Sequence, residues 1–163
     1  MSDKKDHKIN VVNIRLVKEP SLYSPDPIKS PEDVVKVIAK ELATYDREVF
    51  AVMNLKTNGQ IINLNICSMG TLDASMVSPR EVFKSSILSN AASFIAFHNH
   101  PSGSLQPSQE DRDVTRRLLE CGDLLNIRMM DHIIVAGESA RIYSFKEHGE
   151  LDMLKPRRRE WER

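Results

Sequence analysis

Two apolar runs, Glu48–Leu55 and Gln60–Cys67, flank the dipeptide Asn58-Gly59. Asn-Gly between such runs is the strongest short-range signal for a β-hairpin, because both residue types tolerate the positive φ of a tight turn. A third run, Ser93–Phe97, is short and apolar throughout. A strand covered on both faces reads this way, so this one is expected near the centre of a sheet. Helix patterns alternate with these strands. Ser30-Pro31-Glu32-Asp33 supplies an N-cap, a first-turn proline and first-turn acids, and Val34, Val35, Ile38, Ala39 and Leu42 then form one apolar face. Ser78-Pro79-Arg80-Glu81 repeats the start, with Val82, Phe83, Ile87 and Leu88 as the expected buried stripe. Another helix is expected from about Ser108 to Cys121, with Gly122 as its stop. Ile127–Met130, His132–Ala136 and Arg141–Tyr143 read as further strands. This order predicts a compact α/β domain with a mixed β-sheet flanked by helices.

The ends read differently. Lys8–Lys18 holds Ile9, Val11, Val12, Ile14, Leu16 and Val17, a β-rich run that predicts a strand after a charged, structureless Met1–His7. Glu19–Pro31 carries Pro20, Pro25, Pro27 and Pro31 and reads as an extended connection. Ser68–Val77 is expected to be a loop or short strand. The division is therefore an N-terminal strand and proline-rich connection over 1–30, the domain over 31–154, and a charged tail over 155–163. The tail's Arg157, Arg158, Arg159 and Trp161 suit either a solvated end or a contact with nucleic acid or a partner.

Charge narrows the function. Lys+Arg and Asp+Glu both number 23, giving a formal net charge of zero. Non-specific nucleic-acid binders carry a basic excess because phosphate neutralisation dominates their affinity. The overall balance gives such a partner no support. No apolar run approaches the length that spans a bilayer, and Met1–Asn10 is too polar for a signal peptide. Cys67 and Cys121 lie far apart and match no paired metal spacing. They are expected to be thiols of a cytoplasmic protein, a single disulfide being the alternative.

Chemistry concentrates between Phe97 and Asp111. His98 and His100 are two apart at a strand end, and alternate strand side chains share a face, so both imidazoles can converge on one point. Pro101, Ser102 and Gly103 then turn the chain into a helix whose first turn holds Asp111. Two imidazoles and a carboxylate make a three-ligand site of the kind found in catalytic zinc centres, with a fourth position for water. Plainer readings compete. Two histidines can simply end a strand, and Ser108 with Asp111 resembles a capping box. His132, beside Asp131 at the start of an apolar strand, reads as a hydrogen-bonded structural histidine. His7 and His148 lie in polar segments and read as solvated.

The spacing His98-x-His100, seven residues, Ser108, two residues, Asp111 resembles the JAMM motif of the JAB/MPN metalloenzymes. The wording around it, Ser78-Pro79-Arg80-Glu81-Val82-Phe83-Lys84, His98-Asn99-His100-Pro101-Ser102-Gly103, Pro107-Ser108-x-x-Asp111 and Asp131-His132-Ile133-Ile134, is similar to the RadC-like branch. The blocks run in order from about Pro31 to Phe145. The resemblance implies an MPN/JAB-like (cytidine-deaminase-like) domain, with Zn2+ held by His98, His100 and Asp111. It also implies a catalytic glutamate upstream, at the position of Glu48 in Arg47-Glu48-Val49-Phe50. A strand-end cap or an Arg47 partner would be Glu48's ordinary role. In the implied mechanism Glu48 takes a proton from water and returns it to the leaving amine, and Ser108 hydrogen-bonds the oxyanion. Asn99 points away from the metal by alternation and is expected to orient the loop.

The resemblance implies hydrolysis of a peptide or isopeptide bond in a peptide or protein substrate. A RadC-like DNA-repair or mobile-element accessory protein, acting on or with nucleic acid, is the alternative. Full-length members of that branch carry an N-terminal helix-hairpin-helix region, whereas about 30 residues of strand and proline-rich pattern precede the first helix here. A metal-holding interaction module without activity is the third reading, set against the presence of all five site residues.

Overall fold

The computed structural model describes residues 12–22, 30–70 and 77–156. In chain order its elements are α1 (Pro31–Leu42), β1 (Glu48–Leu55), β2 (Ile61–Gly70), α2 (Pro79–Leu88), β3 (Ser93–His100), α3 (Gln109–Leu125), β4 (Arg128–Ala136), β5 (Arg141–Ser144) and α4 (Glu150–Leu154). The strands form one sheet in the order β2-β1-β3-β4-β5. β3 and β4 are parallel, joined by the α3 crossover, and the other neighbouring pairs are antiparallel. The expected mixed α/β architecture is what forms, with the Ser93 strand at its centre.

Alternation divides the core between the two faces of the sheet. Val49, Ala51, Met53, Phe97, Ile133 and Val135 pack with Ile38, Ala39 and Leu42 of α1. Phe50, Val52, Ala96 and Ile134 pack instead with Val82 and Phe83 of α2, Val114 and Leu118 of α3, and Leu151 of α4. The sheet is therefore buried on both sides, as an apolar central strand requires.

Local signals account for most boundaries. At α1 the Ser30 hydroxyl accepts from the Asp33 N–H at 3.2 Å and the Asp33 carboxylate accepts from the Ser30 N–H at 3.1 Å. This reciprocal cap satisfies two otherwise orphaned donors and is worth about 1 kcal/mol. The hairpin turns on Gly59 at φ +82°, with Gly59 N–H donating to Lys56 O and Lys56 N–H donating to Gln60 O. The loop is thus a three-residue turn with a bulge, and β2 runs on to Gly70.

Four expectations are corrected. Residues 12–22 form no strand, and Val12, Ile14 and Val17 are exposed. β-branched residues favour a pleated surface only where a partner strand and a packing face exist, and among the described residues this stretch has neither. On α2, Ile87 and Leu88 are exposed, while Ser85 and Ser86 are buried. The reason lies opposite them: Asn54 of β1 is fully buried, donates to Ser85 Oγ at 3.1 Å and accepts from Ser86 Oγ at 2.6 Å. A buried amide needs partners, and that need sets the helix rotation. α3 does not stop at Gly122 but continues to Leu125, capped by Asn126 in the left-handed region at φ +56°. Gly122 instead permits a close approach, since a Cβ there would stand 2.6 Å from Ile127 O. Finally, the two strands expected at Ile127–Met130 and His132–Ala136 are one, β4.

The short helix α4 has a single buried residue, Leu151, too little for a periodic pattern. Cys67 and Cys121 are free. No helix among the described residues is long and apolar enough to cross a membrane. The expectations for Met1–His7, for residues 8–11, for Pro25 and Pro27, for residues 71–76 and for the arginines and Trp161 of the tail lie outside the described residues.

Candidate metal centre

The end of β3 carries His98 and His100 on one face, their ring centroids 4.6 Å apart and nearly perpendicular. The carbonyl of His100 accepts from Gly103 N–H at 3.0 Å and Gly137 N–H at 2.9 Å, which pins the chain where it leaves the sheet. Gly103 sits at φ +82°, and a Cβ on Gly137 would lie 3.1 Å from Gly103 Cα. Glycine at both positions lets the loop fold back tightly.

α3 then delivers Asp111. The Ser108 hydroxyl accepts from Asp111 N–H at 3.0 Å, and Asp111 Oδ2 accepts from Ser108 N–H at 2.7 Å and from the Ser108 hydroxyl at 2.8 Å. The carboxylate of this capping box also faces the histidines: Oδ1 is 3.0 Å from His98 Nδ1 and Oδ2 is 3.4 Å from His100 Nε2. One ligand atom from each of His98, His100 and Asp111 falls within 4.8 Å of the others, and all three residues are buried.

His100 Nδ1 lies 2.8 Å from Ser104 O, so the N–H belongs on Nδ1 and Nε2 is the nitrogen that could present a lone pair to a metal ion. Burial alone would push the His100 pKa down. Asp111, the Ser104 carbonyl and Glu48 outweigh it and hold His100 above its ordinary value. Burial would likewise raise Asp111, but His100, His98 and the Ser108 N–H hold it far below the usual carboxylate range. Asp111 therefore stays an anion. His98 Nε2 is buried without a hydrogen-bond partner among the described residues, an unmatched polar atom beside the cluster. Two imidazoles and one ionised carboxylate, converging and buried, could hold a metal ion.

Glu48 reaches the site through register. Phe50 is paired with His98 across β1 and β3, so both face the same side, and Glu48, two residues before Phe50, faces that side as well. Its charge is felt at His100. The Arg47 guanidinium pairs with Asp46 at 2.9 Å. Ser108 is at the exposed rim of the cluster, spending its hydroxyl on the helix cap. Asn99 does point to the opposite face of the sheet: its side chain accepts from Val49 N–H at 2.5 Å and donates to Arg47 O at 3.0 Å.

His132 lies outside the ligand cluster. Its ring stacks on Phe145 at 4.8 Å, and its Nδ1 is 2.7 Å from Thr115 Oγ1. Thr115 also donates to Asp111 O at 2.6 Å, so it links His132 to the helix turn bearing the carboxylate. Two contributors escaped the sequence reading. Thr115 gave a signal only in its four-residue spacing from Asp111. Arg112 gave none: it donates to Pro107 O at 2.8 Å and pairs with Glu150 of α4 at 2.8 Å, bracing the loop before Ser108. His148 is exposed but not simply solvated, since it stacks on Tyr143 at 3.9 Å.

A single compact sheet with this cluster at the end of its central strand is consistent with a JAB/MPN-like domain. Residues 28–150 match the family model of the RadC-like JAB domain, and the chain belongs to that family. It is 48% identical over 124 residues to a UPF0758 protein of Rubrobacter xylanophilus, covering 76% of this chain and 53% of that one. It is 43% identical over 124 residues to the UPF0758 protein YsxA of Bacillus subtilis, with the same coverage of 76% and 53%. A UPF0758 protein of Caldanaerobacter subterraneus is also 43% identical, over 125 residues, covering 77% of this chain and 53% of its own length. The chain spans about half the length of the curated relatives it matches.

Proposed function

We propose that this domain is a zinc-dependent hydrolase of the JAMM type that cleaves a peptide or isopeptide bond. The observation that carries the reading is the buried convergence of His98, His100 and Asp111 beside a glutamate on the same sheet face. Zinc held by those three residues would supply Lewis acidity, bringing the pKa of a water down to about 7 and polarising a carbonyl.

The remaining work falls to side chains. Glu48 accepts the proton of the attacking water and passes it to the leaving amine, a role that fits a carboxylate facing the cluster from the neighbouring strand. The Ser108 hydroxyl donates a hydrogen bond to Asp111 Oδ2 in the resting arrangement. Turning that O–H outward would aim it at a developing oxyanion while its oxygen keeps the Asp111 N–H. Ser104 O, by holding the proton on His100 Nδ1, keeps the other ring nitrogen available as a ligand.

The test is cleavage of a peptide library by the zinc-loaded protein, beside Glu48→Gln. Turnover that chelation abolishes, and that falls by roughly 10²–10⁴-fold in Glu48→Gln with zinc retained, supports the reading. Full activity in Glu48→Gln would overturn the base assignment.

A further inference from the structure

The two histidines of β3 are separated by a residue the metal cluster does not use. Asn99 is 2% exposed, on the α1 side of the sheet by alternation from His98 and His100. The backbone pairing of β1 with β3 ends at Phe50 opposite His98. Beyond that point the Asn99 amide takes over, accepting from Val49 N–H and donating to Arg47 O.

Those partners are not arbitrary. Arg47 O belongs to the peptide unit before Glu48, and Val49 N–H belongs to the unit after it. Holding the first plane fixes φ of Glu48, and holding the second fixes ψ. A primary amide offers one acceptor and a donor at the spacing a strand partner would, so Asn99 acts as a one-residue extension of the sheet at this spot. An apolar side chain would fill the same space without either bond. Catalytic groups must sit close to the productive geometry, and a displacement of about 1 Å can cost 10²-fold.

We propose that Asn99 is a positioning residue for Glu48, clamping the peptide units on both sides of it from the opposite face of the sheet. This rests on the reading of Glu48 as the proton acceptor beside the metal. Asn99 acts through the β1 backbone and touches neither substrate nor metal ligand side chain.

The test uses the full chain loaded with cobalt in place of zinc, following the visible absorption bands as a function of pH. Glu48→Gln should move the midpoint of that titration by about half a pH unit or more, because it removes a neighbouring charge. Asn99→Ala, at equal cobalt content, should move it in the same direction, and Asn99→Ala added to Glu48→Gln should move it no further. Asn99→Ser, which keeps a small polar group, covers the case in which the alanine variant does not fold. Asn54→Ala, which removes buried hydrogen bonds at the far end of the same strand, should lower the melting temperature and leave the titration in place. If Glu48→Gln moves the midpoint and both Asn99 variants superimpose on wild type, the clamp is wrong and the base assignment stands. If Glu48→Gln itself leaves the midpoint unmoved, the base assignment falls and the clamp falls with it.

Discussion

Oδ1 of Asp111 stands 3.0 Å from Nδ1 of His98, joining the first turn of α3 to the end of β3. The same carboxylate caps its own helix through Oδ2, which takes the Ser108 N–H at 2.7 Å. The carboxylate could therefore hold a metal ion while it caps its helix. The cap also orients the carboxylate toward the histidines, a preorganised arrangement that would lose little freedom on binding a metal ion.

Gly122 in α3 tests the packing. In an exposed helix interior Gly→Ala gains about 1 kcal/mol. Here the added methyl would stand 2.6 Å from Ile127 O, a backbone atom that cannot swing aside. Gly122→Ala is expected to destabilise the fold by about 1–3 kcal/mol in urea unfolding. A stabilised variant would mean that the α3–β4 connection yields.

His132 should make the metal-free fold sensitive to acid. Burial, and then the neighbouring His98, push its pKa down to about 3 from an ordinary 6.5. The unfolded chain therefore takes up a proton as pH falls through 6.5, while the folded chain stays neutral there. The folded-state advantage is complete above 6.5 and is lost as pH falls toward 3. The melting temperature of metal-free wild type should drop between about pH 7.5 and 4.5, and His132→Gln should shrink the drop. Parallel curves for the two proteins would remove His132 as the cause.

Cys67 should be a slow thiol. Burial, and then the charge of Glu81, push its pKa up from 9.0 to about 12. At pH 8 that leaves roughly a thousandfold less thiolate than an ordinary cysteine holds. Alkylation of the native protein should label Cys121 first, with Cys67 reacting at a normal rate only in denaturant. Equal native rates would contradict the raised pKa of the half-buried Cys67.

Much of this arrangement was legible in the residues, and the exceptions share a cause. β1 runs from Glu48 to Leu55 as read, because a continuous apolar run bounded by polar residues leaves few alternatives. His98 and His100 converge as strand alternation requires. Local pattern fails where a distant partner decides. The run at 12–18 has strand composition but no partner strand among the described residues. Ser85 and Ser86 displace Ile87 and Leu88 from the core because Asn54, about thirty residues earlier, must be satisfied. Gly122 looks like a stop until Ile127 O is placed against it. Glu48 carried no compositional signal of its own and was picked out by family resemblance. The bonds from Asn99 span about fifty residues and leave no mark in any local window.

Metal content is the most direct measure of what His98, His100 and Asp111 do. Elemental analysis of the purified chain, equilibrated with zinc and dialysed, should find one zinc per chain in wild type and in Glu48→Gln. His100→Ala and Asp111→Asn, folded by circular dichroism, should lose it, with affinity lowered by more than about a hundredfold. Wild type without stoichiometric zinc, or variants that retain it, would contradict the assignment of His98, His100 and Asp111 as the metal centre.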